Sequence, residues 1–268
     1  MNLIDQTFAR LRSEGQTALI PFVTVGDPDV PSTLEIIRQL ERSGADMIEL
    51  GVPYSDPLAD GPVIQRASER ALRHNVTIAD CIEIAAQARA SGVRLPFILF
   101  TYFNPVLQFG LEAFFELIKS KEVSGLIIPD LPIEEDAEVR ALAEATGIHL
   151  IPLVAPTSKD RIARIASKAQ GFVYCVSSLG VTGVRSDFYS GIDDFLRTVR
   201  EASPVPIAIG FGISSREHVR RFSELCDGVV VGSAIVRQIE EALPLLAEEA
   251  SREAGFGRIG AFVQELKS

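Results

Sequence analysis

The chain has 268 residues, 47% of them hydrophobic and 7% aromatic, with no Trp and a formal net charge of −10. A core built from Val, Ile, Leu and Ala excludes a disordered chain, and the acidic balance excludes a basic surface that would neutralise nucleic-acid phosphates. No run approaches the ~20 apolar residues of a membrane span, so neither nucleic acid nor a membrane is an expected partner.

The first residues lack a basic stretch followed by an apolar run, so no secretory signal is expected and the location reads as cytoplasmic. Cys81, Cys175 and Cys226 are far apart, with no CxxC or Cys/His spacing, and read as buried free thiols in a reducing compartment; no metal site is expected. His74, His149 and His218 share no motif and read as satisfied or surface histidines.

In chain order, a helix is expected over 2–13, then a β-branched strand over 18–25. A helix over 31–43 opens with Pro-Ser and carries Leu34, Ile37 and Leu40 on one face. Strand two covers 46–50, followed by a turn-rich loop, a helix over 62–73 and another over 78–91 with Thr77 as its N-cap. Strands three and four cover 96–102 and 125–129. The helix over 133–146 would place Glu134, Glu135 and Asp136 in its first turn, with Gly147 beyond its end, as the helix dipole and the C-terminal stop prefer. Strands over 149–154, 171–177, 206–210 and 228–231 follow, with helices over 158–168, 192–202 and 214–225, and a tail helix from 252. Eight strand–helix alternations without a linker point to one α/β domain over 1–268. It would be a single (β/α)8 TIM barrel of the phosphate-binding type with extra helices.

Barrels of this kind carry their chemistry at the C-terminal ends of the strands. Glu49 lies in Met47-Ile48-Glu49-Leu50-Gly51 and faces either the barrel interior or the helix layer. It is either a core carboxyl bonded to a neighbouring strand or an acid/base group raised toward neutrality by burial. The loop that follows contains Asp56 and Asp60 and reads either as solvated surface or as part of a site. Glycines cluster after strands six, seven and eight, at Gly180 and Gly183, at Gly210 and Gly212, and at Gly232-Ser233. One such Gly is ordinarily a turn residue. Together, at this end of a barrel, they suggest backbone N–H groups that hold a phosphate.

Four segments, 21–28, 48–65, 180–183 and 210–213, resemble the tryptophan synthase alpha subunit, in order and across nearly the whole chain. The stretch Glu49-Leu50-Gly51-Val52-Pro53-Tyr54-Ser55-Asp56-Pro57-Leu58-Ala59-Asp60-Gly61-Pro62-Val63-Ile64-Gln65 is the specific part. The resemblance implies a retro-aldol lyase that splits indole-3-glycerol phosphate into indole and glyceraldehyde 3-phosphate. It would need no cofactor in this chain; the partner would be a beta subunit carrying pyridoxal phosphate, in an α2β2 complex. Glu49 and Asp60 match the catalytic pair, and Tyr174 a tyrosine beside Asp60 and the substrate. Phe22, Ile64, Phe100, Tyr102 and Phe211 fall in the indole pocket, and Gly183, Gly212, Gly232 and Ser233 at the phosphate. Thr182 and Arg185 lie in a long loop after strand six that is expected to act as a lid. Asp56, Asn104 and Pro132 are candidate contacts with the beta subunit, against a reading as plain turn residues. Phe100 stands where the family often has a smaller aliphatic residue, and Ser178-Leu179 where a basic or polar pair is common. The competing readings are a stand-alone indole-glycerol phosphate lyase, an isomerase or epimerase on another phosphate barrel, and a non-catalytic barrel that only activates a partner.

Overall fold

The computed structural model describes residues 1–157, 159–177, 188 and 190–268. Its strands are β1 (Ala18–Thr24), β2 (Ile48–Gly51), β3 (Phe97–Phe100), β4 (Gly125–Ile127), β5 (His149–Leu150), β6 (Leu153–Val154), β7 (Val173–Val176), β8 (Ile207–Gly210) and β9 (Gly228–Val231). All pairings are parallel, in the order β5-β4-β3-β2-β1-β9-β8-β7-β6. The two ends of that order are halves of one stave, separated by Ile151 and Pro152. Ile151 N–H donates to Leu126 O at 2.9 Å on one side, while Pro152 O accepts from Tyr174 N–H at 3.0 Å on the other. Eight staves therefore close into a barrel. The expected strand over 149–154 appears as two because Pro152 has no N–H to give to the ladder.

Strand residues alternate between two cores, as a period of two demands. Ala18, Ile20, Phe22, Met47, Ile98, Phe100, Ile127, Tyr174, Ala208 and Val230 fill the barrel interior. Leu19, Val23, Ile48, Leu50, Phe97, Leu99, Val173, Ile209 and Val229 pack outward under the helices. Strands buried on both faces explain the continuous β-branched runs in the sequence. The N-terminal helix (Leu3–Ser13) turns Ile4, Phe8 and Leu11 into the inner core. Phe8 meets Phe172 with ring centroids 5.6 Å apart. This helix plugs the floor and leaves the C-terminal rim as the mouth.

Most expected helices form within a few residues of their forecast ends. Thr77 caps the helix Ile78–Ala90 in a reciprocal box with Asp80. The stretch expected as helix over 133–146 is different: the helix is Ala137–Thr146. Pro132 and Glu135 close a turn ahead of it, through a 2.9 Å bond from Glu135 N–H to Pro132 O, so the acids at 134 and 135 precede the helix rather than open it. Three helices were not individually foreseen: Phe103–Phe109, Leu111–Ser120 and Ser233–Leu246. Cys81, Cys175 and Cys226 are buried free thiols. Among the described residues no helix is long and apolar enough to cross a membrane.

Candidate active site

Strand alternation settles where Glu49 points. Ile48 and Leu50 belong to the outer core and Met47 to the inner one, so Glu49 faces into the barrel. It is 2% exposed, and its Oε2 has no hydrogen-bond partner among the described residues. Burial, and secondarily the charge of Asp60, push its carboxyl up to about 8. A buried carboxyl oxygen without a partner favours the neutral form of its group, since ionisation there has nothing at that oxygen to replace hydration.

Asp60 reaches the same cavity from the loop after β2. Gly61 is the N-cap and Pro62 the first residue of the helix Pro62–Leu72, which puts Asp60 just ahead of a rigid element and Ile64 in its first turn. Of the two readings of its loop, solvated surface or part of a site, burial favours the second: Asp60 is 6% exposed, and burial raises it to about 6, with the Tyr102 hydroxyl working in the opposite direction. That hydroxyl donates to Asp60 Oδ2 at 3.1 Å and accepts from Ala59 N–H at 3.0 Å. The Gln65 amide donates to the Asp60 carbonyl at 2.7 Å. Asp60 is thus a buried group whose anion accepts from the Tyr102 hydroxyl, whereas Glu49 Oε2 has no partner among the described residues.

One cavity is lined by both carboxyls, with Phe22, Ile64, Phe100, Tyr174, Phe211, Gly212, Val230, Gly232 and Ser233 around them. Its walls depend on two glycines. A Cβ at Gly51 would lie 2.3 Å from Phe22 Cζ, and one at Gly210 would lie 2.2 Å from the Tyr174 hydroxyl oxygen. Phe211 has φ 71° and Gly212 φ 82°. A left-handed Phe is uncommon; here it sets the Phe211 ring edge-on to Tyr174, centroids 5.9 Å apart, and the Ser177 hydroxyl donates to the Phe211 carbonyl. Gly232 is the N-cap of the helix Ser233–Leu246, with no side-chain hydrogen bond there; a helix N-terminus leaves its first-turn N–H groups without intrahelical partners.

A family model described as tryptophan synthase alpha chain matches residues 8–267. The chain belongs to that family. It is 54% identical over 247 residues to the tryptophan synthase alpha chain of Geobacillus sp. (strain WCH70), covering 92% of this chain and 94% of the relative. It is 52% identical over 233 residues to that of Bacillus subtilis (strain 168), covering 87% of each. The crystal structure of tryptophan synthase subunit alpha from Legionella pneumophila superposes with a TM-score of 0.88 at 34% identity, over 100% of this chain and 97% of that one. A Mycobacterium tuberculosis tryptophan synthase structure superposes with a TM-score of 0.84 at 35% identity, over 97% and 98%.

Ten of the residues expected from the tryptophan synthase alpha resemblance therefore border one cavity, among them Glu49 and Asp60. Of the two tyrosines expected at the pocket, Tyr174 is among the residues lining this cavity and Tyr102 is not. Tyr102, expected only as pocket wall, supplies the hydroxyl bonded to Asp60, while Tyr174 stands over Gly210 and its phenol is pushed up by burial and by the charge of Glu49. Gly183, Thr182 and Arg185, with the Ser178-Leu179 departure, lie outside the described residues. Asp56, Asn104 and Pro132 are all exposed, Asp56 and Pro132 in loops and Asn104 in the first turn of the helix Phe103–Phe109. Asn104 donates to the Tyr54 hydroxyl at 3.3 Å, and Asp130 accepts from Phe103 N–H at 2.9 Å, tying the loop after β4 to the helix after β3. Val230 was missed, although its place between outward Val229 and Val231 marks it as inward. Tyr54, stacked on Tyr102 at 5.1 Å, had no comparable signal. His149 is paired with Asp5 at 2.9 Å, and His218 Nδ1 accepts from Ser214 N–H at 3.3 Å; both are occupied structurally.

Proposed function

We infer that this chain cleaves indole-3-glycerol phosphate into indole and glyceraldehyde 3-phosphate, as the alpha subunit of a tryptophan synthase in the cytoplasm. Family membership supports the activity and the beta-subunit partner, while pyridoxal phosphate belongs to that partner and none acts in this chain. The observation that carries the roles of individual residues is the meeting of Glu49 and Asp60 in one cavity, with their carboxyls drawn to about 8 and about 6. At neutral pH the first holds its proton and the second has mostly lost it.

That difference matches what the cleavage requires. Glu49 in its acid form gives a proton to indole C3, which generates an indolenine cation with its charge shared toward the ring N–H. Asp60, ionised, stands against that positive charge in a site where water does not screen it. Glu49, now a carboxylate, takes the proton from the hydroxyl on the adjoining side-chain carbon. The C–C bond breaks, its electron pair restores the aromatic indole, the hydroxyl carbon becomes the aldehyde, and Glu49 regains its acid form. Phe22, Phe100, Phe211, Ile64 and Val230 supply apolar walls for the ring, and Gly212, Gly232 and Ser233 the end that takes the phosphate.

Docking of a beta subunit at the mouth is favoured over a stand-alone lyase by two exposed apolar side chains. Leu58, on the loop after β2, is 75% exposed, and Leu107, in the helix after β3, is 49% exposed. They flank Asp56 and Asn104 in sequence. Indole release, measured with and without a beta subunit, tests this reading. Cleavage that rises on adding the partner supports it; high cleavage indifferent to the partner favours the stand-alone lyase, and no release in either case overturns it.

A further inference from the structure

Asp27 follows β1, is 1% exposed and lies outside the carboxylate pair. Its two oxygens accept from Arg70 Nε at 2.7 Å and Arg70 Nη2 at 2.9 Å. The remaining arm of the same guanidinium, Nη1, donates to Glu240 Oε1 at 2.9 Å. Glu240 is also gripped by Arg66, Nε to Oε1 at 2.8 Å and Nη2 to Oε2 at 2.8 Å, and these partners, Arg66 foremost, hold its carboxyl down to about 2. A planar guanidinium with fixed donors is suited to joining two carboxylates at a set separation, which an ammonium does less well.

The three elements joined are those that build the two halves of the site. Arg66 and Arg70 lie on the helix Pro62–Leu72, which begins just after Asp60 and carries Ile64 into the cavity. Glu240 lies on the helix Ser233–Leu246, whose first residue borders the cavity with Gly232. Asp27 belongs to the loop leaving β1, the strand of Phe22. We propose that Arg70 and Glu240 are positioning residues for the cleavage: Arg70–Asp27 seats the helix that orients Asp60, and Glu240 locks the phosphate-facing helix to it. The inference rests on reading Asp60 as the ionised carboxylate and Gly232–Ser233 as the phosphate turn. None of the three side chains borders the cavity, so each acts through the backbone it fixes.

The test compares full-length wild type, E240Q and D27N, using glycerol 3-phosphate as the binding probe and indole release across pH as the kinetic readout. In E240Q the helices part while Arg70–Asp27 stays. The Kd for glycerol 3-phosphate should rise about tenfold, with the acidic limb of the pH profile unmoved. In D27N the split reverses: kcat falls about tenfold and the acidic limb shifts, with Kd within about twofold. If D27N fails to fold, R70K, which keeps the charge but cannot bridge both carboxylates, should show both effects. E240Q that binds glycerol 3-phosphate as tightly as wild type, whatever its melting temperature, overturns the proposal. Wild type that releases no indole overturns the functional reading instead, so the two failures are distinct.

Discussion

Asp46 and Glu49 are buried carboxylates three positions apart on one stretch of chain, at opposite ends of the barrel. At the floor, Asp46 accepts from Leu19 N–H at 2.9 Å and Arg10 Nη2 at 3.4 Å, and from the Lys267 ammonium. At the mouth, Glu49 Oε2 has no partner among the described residues. The floor satisfies its charge, tying the first and last helices to the sheet. The mouth leaves one oxygen of the Glu49 carboxyl without a partner among the described residues, which disfavours its anion and favours the acid form at neutral pH. On the proposed mechanism, stability and reactivity are thus drawn from different ends of the same fold.

The sharpest way to break that contrast is to remove each acid in turn. E49Q should lower cleavage by about 10²–10⁴-fold with the fold intact, and D60N by about 10²–10³-fold, both read by indole release. D46A should do the reverse: a loss of about 3 kcal/mol in denaturant unfolding, because Lys267 and Leu19 N–H lose a buried acceptor, with kcat within about twofold of wild type. Near-normal cleavage by E49Q, or a dead but stable D46A, would dissolve the distinction.

A further effect, on stability rather than rate, comes from linkage. Glu49 is raised from 4.5 to about 8 in the folded chain, so over that window the native state keeps a proton that the unfolded state has released. Stability must therefore fall as pH rises through it, by up to about 1.4 kcal/mol per pH unit from this group. E49Q lacks this slope, and its unfolding free energy should gain on wild type from about pH 5 to pH 8. Parallel curves for the two proteins would mean that Glu49 is not protonated in the native state. The smallest effect is expected for Y102F. Without its donor the Asp60 anion is less favoured, so the acidic limb of the rate profile should move to higher pH and kcat fall by about tenfold; an unmoved limb would assign Tyr102 to packing alone.

Much of this contrast was legible in the chain itself. The pattern Met47-Ile48-Glu49-Leu50 leaves only two directions for Glu49, and both are buried. The glycines of the last strands announced a crowded rim. What escaped reading depends on residues far apart in sequence. The hydrogen bond to Asp60 comes from Tyr102, 42 positions away, so the loop of turn formers alone could be read as solvated surface as well as part of a site. The ties from Arg70 to Asp27 and Glu240 span 43 and 170 positions, and no local pattern marks them. Pro152 was visible, but its division of one stave into two follows from the ladder bond it cannot make. The helix start at Ala137 was obscured because acids in a turn and acids in a first helical turn look alike.

The central claim is a protonated Glu49 beside an ionised Asp60 at neutral pH, and infrared difference spectroscopy of wild type against E49Q reads it directly. The account predicts a protonated-carboxyl band at pH 7 that is missing from E49Q and fades in wild type with a midpoint near 8. A wild-type spectrum without that band at pH 7, or a band that survives in E49Q, would contradict it.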